Sequence, residues 1–346
     1  MHFLKATLAF IAIVIATVCM CTALTWWATK LLWLKGSARS QNLQKMDKVI
    51  IGWTKANRWT FKKLNLVNVN ITWHDQEQVS PENWYLVVCN HQTWTDILLL
   101  QTYLLDDLPP LKFFTKAQLI WIPFIGLAMY ALGFPYVKRL NKAQIKQKPE
   151  LRNADRDNVL MACERFKNHP TSILNFVEGT RYTREKHGRQ NSEFKNLLRP
   201  KAGGIEYVLQ GMDQHLHRLV EVTLVYPDAV PSFGDFLQGK CQRVDIDIRH
   251  HAIPDWTSTP ETTERKTEIV QWVKNIWLAK DQRITQTMEQ YEINQVQYEQ
   301  LYRPGVEAGA SCLLILARAF SNATIRLFTA SLLASIASTA SLLSFT

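Results

Sequence analysis

The sequence predicts an α/β fold, with a largely parallel central sheet flanked by helices and an N-terminal transmembrane or interfacial helical anchor. Three observations lead there. Short apolar runs that stop abruptly on polar clusters recur at residues 84–89, 172–177 and 220–226. Helical periodicity fills the intervals near residues 156–167 and across residues 262–280. Residues 6–29 carry no charge at all. Continuous apolar strands suit a sheet covered on both faces, and strands separated by helices connect most simply in parallel.

Composition narrows the class. The chain has 346 residues, 40 Lys plus Arg against 30 Asp plus Glu, a net charge of +10 and 47% hydrophobic residues. Such a chain is neither disordered nor collagen-like, and its soluble-like centre excludes a many-span transporter. A positive balance suits nucleic acid, an anionic membrane face or acidic small molecules.

Taken in order, the uncharged run 6–29 is 24 residues long. As a helix it measures about 36 Å, enough to cross a hydrocarbon core of roughly 30 Å. Trp26 and Trp27 lie where an aromatic belt belongs. Lys5 precedes the run, whereas Lys30, Lys35, Arg39 and Lys45 follow it, which places the body in the cytoplasm. A cleaved signal peptide is the alternative. The run is long for one, and no small-x-small site precedes the polar part.

Residues 40–63 read as a basic amphipathic helix. Leu43, Met46, Ile50, Trp53 and Thr60 recur at steps of three, four or seven, and six cations accompany the single acid Asp47. Such a helix lies in the membrane interface or packs on the domain. The alternation V-D-I-D-I at 244–248 predicts an edge or one-sided strand.

From residue 305 the chain is apolar again, with Glu307, Arg318 and Arg326 its charges. Residues 327–346 carry none but include eight Ser or Thr, too polar for a second crossing. The expected division is an anchor at 1–63, a catalytic-sized domain at 64–304 and a tail at 305–346. Six scattered cysteines with no C-x-x-C give neither a disulfide framework nor zinc spacing, which agrees with a reducing cytoplasm.

Polar clusters follow the predicted strands. Asn90-His91-Gln92-Thr93-Trp94-Thr95-Asp96 comes directly after the first. A His with a carboxylate five residues on forms a dyad if a turn closes the gap: the carboxylate fixes the tautomer, and the other ring nitrogen takes a proton. Taken alone, such a histidine after a strand is more often a structural hydrogen bonder. Arg139 ends Gly133-Phe134-Pro135-Tyr136-Val137-Lys138-Arg139, where a guanidinium can fork onto a phosphate. Phe176-Val177-Glu178-Gly179-Thr180-Arg181 ends the second strand. Gly179 there permits close backbone approach, and Thr180 and Arg181 donate to anionic oxygens. Val222-Thr223-Leu224-Val225-Tyr226-Pro227 reads as a core strand closed by proline.

Other signals are discarded. The stretch 234–241 imitates a phosphate-binding loop but ends on Cys241, where a magnesium ligand would be Ser or Thr. His250 and His251 lack ligand-spaced partners, and no G-x-S-x-G elbow exists.

In this order and spacing, over about residues 85–227, the clusters resemble the lysophospholipid acyltransferase superfamily, the PlsC-like 1-acylglycerol-3-phosphate acyltransferases. That family has the blocks N-H-x4-D, G-x-x-F-x-x-R, F-P-E-G-T-R and a strand ending in proline. Lys116 to Gly126 also resembles the family's segment before the second block. Tyr136 stands where the second block usually has Phe, Val177 replaces the third block's Pro, and Val-Tyr-Pro replaces Val-Pro. These variants look like the branch that includes lysocardiolipin-type enzymes.

The resemblance implies transfer of a fatty acyl group from acyl-CoA or acyl carrier protein to the free hydroxyl of a lysophospholipid, first of all lysophosphatidic acid. It implies His91 and Asp96 as the catalytic pair. Arg139 and Arg181 would hold the acceptor phosphate, with Glu178, Gly179 and Thr180 shaping its site and Lys116 adding charge. No metal, no cofactor and no covalent acyl-enzyme are expected. Membrane lipids are the expected partners and nucleic acid is not. The alternatives are another lysophospholipid acceptor of lysocardiolipin or lysophosphatidylglycerol type, a non-catalytic lipid-binding protein, or a thioesterase with water as acceptor.

Overall fold

The computed structural model describes residues 2–74, 79–121, 125–137, 153–256 and 263–302. At its centre is a sheet of order β1-β8-β7-β2-β6-β3. The strands are β1 (Val67–Trp73), β2 (Trp84–Cys89), β3 (Leu111–Phe113), β6 (Ser172–Phe176), β7 (Leu216–Val225) and β8 (Cys241–His251). A two-residue ladder, β4 (Thr115–Lys116) with β5 (Tyr136–Val137), stands apart. The three apolar runs of the sequence are β2, β6 and β7, and they are the sheet's adjacent centre. Val87 lies opposite Leu174 on one side and Val220 on the other.

The sheet is parallel at every pairing except β7 with β8. There the chain turns back at the same end of the sheet, through the short helix α8 (Phe233–Leu237), so no crossover is needed. The stretch that imitated a phosphate loop is this helix, capped by reciprocal bonds of Ser232 and Asp235. The alternation at 244–248 is one-sided as expected: Val244, Ile246 and Ile248 are buried and the two Asp between them are half-buried. It is not an edge, because β1 pairs along the outside of β8.

Alternation along the central strands divides the interior in two. Leu86, Val88, Ile173 and Leu219 face α5 (Ala154–Phe166), α7 (Gly203–Met212) and α9 (Thr263–Tyr302), where Phe166, Val208 and Trp277 close the core. Tyr85, Val87, Leu174 and Val220 face the other way, toward Leu99 and Leu100 of α3 (Thr95–Tyr103) and toward the N-terminal helices. Smaller helices, α4 (Ile125–Ala131) and α6 (Arg184–Gln190), complete the set used below.

The N-terminal helices are α1 (His2–Lys30) and α2 (Gly36–Lys63), packed against each other. Trp53 Nε1 donates to Thr17 Oγ1 at 3.1 Å, and Asn42 Nδ2 donates to the Trp27 carbonyl at 2.8 Å. The apolar face of α2 is spent on protein: Met46, Ile50 and Phe61 are buried, and Phe61 meets Phe236 edge-on. Of the two readings of α2, the packed one describes these contacts, since α1 and α3 offer its apolar stripe a partner.

Helix α1 has the length for a crossing, yet its first turns are tied to the body. Lys5 Nζ donates to the Asn65 carbonyl at 3.2 Å, and His2 Nδ1 lies 3.0 Å from the Gln238 carbonyl. On its free side Leu4, Leu8, Ile11, Ile15 and Val18 form an exposed stripe at helical spacing.

Residues 1–63 are not a body of their own. Met1–Glu292 form one compact unit, and Ile293–Thr346 form a second, of which the described part is the end of α9. The tail expected from residue 305 lies outside the described residues.

Candidate active site

The end of β2 is fixed before the functional residues begin. Asn90, fully buried, donates from Nδ2 to the Leu224 carbonyl at 2.8 Å and accepts from the Leu224 N–H at 2.9 Å. This double bond to β7 stands in for one more ladder rung. The loop then turns, Thr93 Oγ1 donates to the Pro231 carbonyl at 2.6 Å, and α3 starts.

Asp96, in the first turn of α3, has no exposed surface, and four donors converge on it. Its Oδ2 accepts from the Gln92 N–H at 2.6 Å and the Thr93 N–H at 3.0 Å, and lies 2.8 Å from His91 Nδ1. Its Oδ1 accepts from the Tyr226 hydroxyl at 2.6 Å. Burial and Asp96 both push the Tyr226 phenol upward, so it acts here as a donor. A carboxylate accepts only, so Nδ1 of His91 carries its proton and the lone pair sits on Nε2. The ring is held on a second side by Phe176, stacked at 4.0 Å and 18°. The His91 side chain keeps 14% exposure.

The turn after β6 lies alongside. The Tyr182 N–H donates to the His91 carbonyl at 2.7 Å, joining the two loops. Gly179 has φ of +69° and donates to the Phe176 carbonyl at 2.8 Å. A Cβ here would meet the Lys201 side chain at 3.2 Å, a contact that a flexible lysine relieves by moving; it is the left-handed conformation that favours glycine. Thr180 Oγ1 accepts from Lys186 Nζ at 2.9 Å, and Lys186 Nζ also donates to the Arg181 carbonyl at 2.8 Å. Arg181 is exposed, its guanidinium 5.1 Å from the Trp94 ring centre in the histidine loop. His91, Asp96, Gly179, Thr180 and Arg181 are thus brought together.

Glu178 belongs to the same turn but points the other way. It has no exposed surface, so it stands behind the loop rather than in a substrate cleft. Neither carboxylate oxygen has a hydrogen-bond partner; the N–H groups of His91 and Leu198 face it outside strict hydrogen-bond geometry. Burial pushes its carboxyl up to about 8, against the pull of Lys280 and those two amides.

Lys116 is placed by its backbone in β4, opposite Val137; its side chain and the whole of Arg139 lie outside the described residues. Among the described residues no group of three or more His, Cys, Asp or Glu is arranged to hold a metal ion. A cavity of about 580 Å³ lies between α1, α2 and the end of α5, lined by Leu32, Met46, Lys112 and Phe166 among others. None of the site residues lines it.

Sequence reasoning passed over Tyr226 and Lys280. Tyr226 reaches Asp96 from 130 residues away, and its signal was the departure of this strand end from Val-Pro to Val-Tyr-Pro. Lys280 gave no signal: a lone lysine on a helix reads as solvated.

A family model described as Acyltransferase matches residues 70–225, the stretch that holds both loops. The chain is 25% identical over 244 residues to probable 1-acyl-sn-glycerol-3-phosphate acyltransferase 5 of Arabidopsis thaliana, covering 66% of this chain and 60% of that one. It is 24% identical over 284 residues to the human 1-acyl-sn-glycerol-3-phosphate acyltransferase gamma, covering 78% and 68%. It is 25% identical over 241 residues to the 2-acyl-1-lysophosphatidylinositol acyltransferase of Saccharomyces cerevisiae, covering 57% and 59%. The chain thus spans about 60% of the length of two of these relatives. Among solved structures, the LPA acyltransferase PlsC from Thermotoga maritima aligns with a TM-score of 0.49 and 16% identity, covering 82% of this chain and 98% of that one. The stretch 70–225, somewhat under half of the chain, is thus similar to the acyltransferase family, and the relatives it matches are named as lysophospholipid acyltransferases.

Proposed function

We propose that the protein transfers a fatty acyl group from a thioester, acyl-CoA or acyl carrier protein, to the free hydroxyl of lysophosphatidic acid. The observation that carries this is the His91–Asp96 pair. Asp96 is saturated by donors, Nδ1 of His91 is committed to it, and Nε2 stands free at the partly exposed edge of the ring.

Nε2 takes the proton of the acceptor hydroxyl as its oxygen attacks the thioester carbonyl. The imidazolium so formed is stabilised by Asp96 and returns the proton to the departing thiolate. One positioned general base contributes about 10² to 10⁴ in rate, and holding two reactants together contributes as much again or more. A thiolate leaves readily, so the chemistry calls for no covalent acyl-enzyme. Arg181, with Arg139, serves the acceptor phosphate as a bidentate cation; Gly179 and Thr180 shape the approach and Lys116 adds charge. The yeast relative, named for a lysophosphatidylinositol substrate, supports a panel of other lysophospholipid acceptors beside the first.

The enzyme works at a bilayer surface, its body on the cytoplasmic side. The ties of Lys5 and His2 to the body favour α1 lying along the lipid with its stripe outward over a helix that crosses. The cations Lys30, Lys35, Arg39 and Lys45 meet anionic headgroups there.

Labelled acyl-CoA or acyl carrier protein with lysophosphatidic acid tests the reaction: the protein turns over and His91→Ala falls by at least about 10². Inert wild type across every lysolipid and donor sinks the reading. Acyl-CoA loss that ignores added lysolipid would make it a thioesterase. Flotation with phosphatidylglycerol vesicles tests the seat: changing Leu8, Ile11 and Ile15 to Ser should abolish it. Unchanged flotation would reject the stripe as the lipid contact.

A further inference from the structure

Trp94 lies between His91 and Asp96 in the chain, and it is 55% exposed. The proton transfer makes no use of it. Its backbone is nonetheless fixed on both sides. The N–H groups of Gln92 and Thr93 end on Asp96 Oδ2, the Thr93 hydroxyl ends on the Pro231 carbonyl, and α3 begins at Thr95. An indole on so anchored a backbone is a stiff plate with few torsions left to order.

The plate carries Arg181. The guanidinium carbon stands over the indole, 5.1 Å from the ring centre. Among the described residues no hydrogen bond or ion pair engages the Arg181 guanidinium; its carbonyl accepts from Lys186 Nζ at 2.8 Å. The same ammonium meets Thr180 Oγ1, and the next residue, Tyr182, donates its N–H to the His91 carbonyl. The backbone at Arg181 is therefore tied down while the side chain leans on the ring. An arginine held by a π-face rather than by an acceptor spends none of its N–H donors. It has also given up part of its rotamer freedom before any anion arrives, so less is lost on binding.

We infer that Trp94 is a positioning residue for Arg181: its ring carries the guanidinium by cation–π contact and presents the unspent N–H fork to the acceptor phosphate. This rests on the acyl-transfer reading above, in which Arg181 serves that phosphate. Trp94 touches neither the proton in flight nor the thioester. Its loss therefore weakens the hold on the acceptor and leaves the chemical step alone.

The test is kcat and KM for Trp94→Phe, Trp94→Leu and Trp94→Ala with lysophosphatidic acid, each with Arg181 intact and with Arg181→Ala. Trp94→Leu keeps apolar bulk and removes the ring. Both Trp94→Leu and Trp94→Ala should raise KM for lysophosphatidic acid about five-fold with kcat nearly unchanged, and Trp94→Phe should fall between them and wild type. With Arg181→Ala the same changes should add little. If Trp94→Leu matches wild type while Trp94→Ala does not, Trp94 is an apolar contact with lipid and the inference is overturned. An unchanged KM in all three variants, a fall in kcat at constant KM, or strictly additive losses with Arg181→Ala overturn it as well.

Binding supplies a readout free of turnover. In calorimetric titration with short-chain lysophosphatidic acid and no acyl donor, Trp94→Leu should bind about five-fold more weakly than wild type. The monoacylglycerol of the same chain lacks the phosphate and should not distinguish the two proteins. Equal losses for both ligands, or no loss for lysophosphatidic acid, overturn the inference. If wild type transfers no acyl group yet shows this phosphate-dependent difference, the functional reading fails and the role of Trp94 stands.

Discussion

Asp96 and Glu178 are two carboxylates of one site, both without exposed surface, and the fold treats them in opposite ways. Asp96 is surrounded at close range by two backbone N–H groups, a phenol and an imidazole. Glu178 has no hydrogen-bond partner, and burial pushes its carboxyl up to about 8. The contrast separates a carboxylate kept charged out of water by hydrogen bonds from a carboxyl that burial drives toward its neutral form. Directed hydrogen bonds fix the angle of the group and of everything bonded to it. A buried carboxyl without such bonds holds its proton instead, and it answers to pH. The loop after β2 fixes an angle; the turn after β6 buries a group that titrates.

The largest way to break that contrast is Asp96→Asn. An amide presents a donor to a site made of donors, and His91 loses the acceptor that sets its tautomer. We expect kcat to fall by about 10³, with KM little changed. A loss under ten-fold in single-turnover acyl transfer would show that the four-donor arrangement is not what positions the base. Tyr226→Phe removes one donor of four and sharpens the same point. It should cost about 1–2 kcal/mol in denaturant unfolding and about ten-fold in kcat. No change in either would mean that Tyr226 merely fills space.

The smallest effect probes the other carboxylate through stability. Glu178 titrates at about 8 when folded, and near 4.3 as an ordinary glutamate when unfolded. The folded state therefore holds this proton more tightly. Its stabilising share is complete below the unfolded value and is lost as pH rises through about 8, at no more than about 1.4 kcal/mol per pH unit. Glu178→Gln should flatten the decline of unfolding free energy between about pH 5 and pH 8. Parallel curves for the two proteins would count against a buried titrating Glu178.

Much of this was legible in the chain because burial on both faces writes an unbroken apolar run. That is why β2, β6 and β7 stood out. Strand β1 was passed over: V-N-V-N-I-T-W alternates and pairs with β8 on its inner side alone, a weaker pattern. The turn back of β8 against β7 was not legible, since nothing in the strand residues states direction. In the site, His91 and Asp96 lie five residues apart, and one turn of chain joins them. Tyr226 and Lys280 reach the same place through tertiary packing, and local spacing holds no trace of such contacts. The packed face of α2 was ambiguous for a related reason. A basic amphipathic helix looks the same whether its apolar stripe meets lipid or another helix, and only α1 decides.

The reach of α9 beyond the acyltransferase match has a practical side. A fragment ending at residue 225 would keep His91, Asp96, Gly179, Thr180 and Arg181, yet it would leave Glu178 without Lys280 and Glu221 without Arg283. It would also lose Tyr226, the donor to Asp96 Oδ1, and the closing Pro227. The smallest autonomous fragment is therefore set by where the buried charges find their partners, about sixty residues after the last recognisable motif.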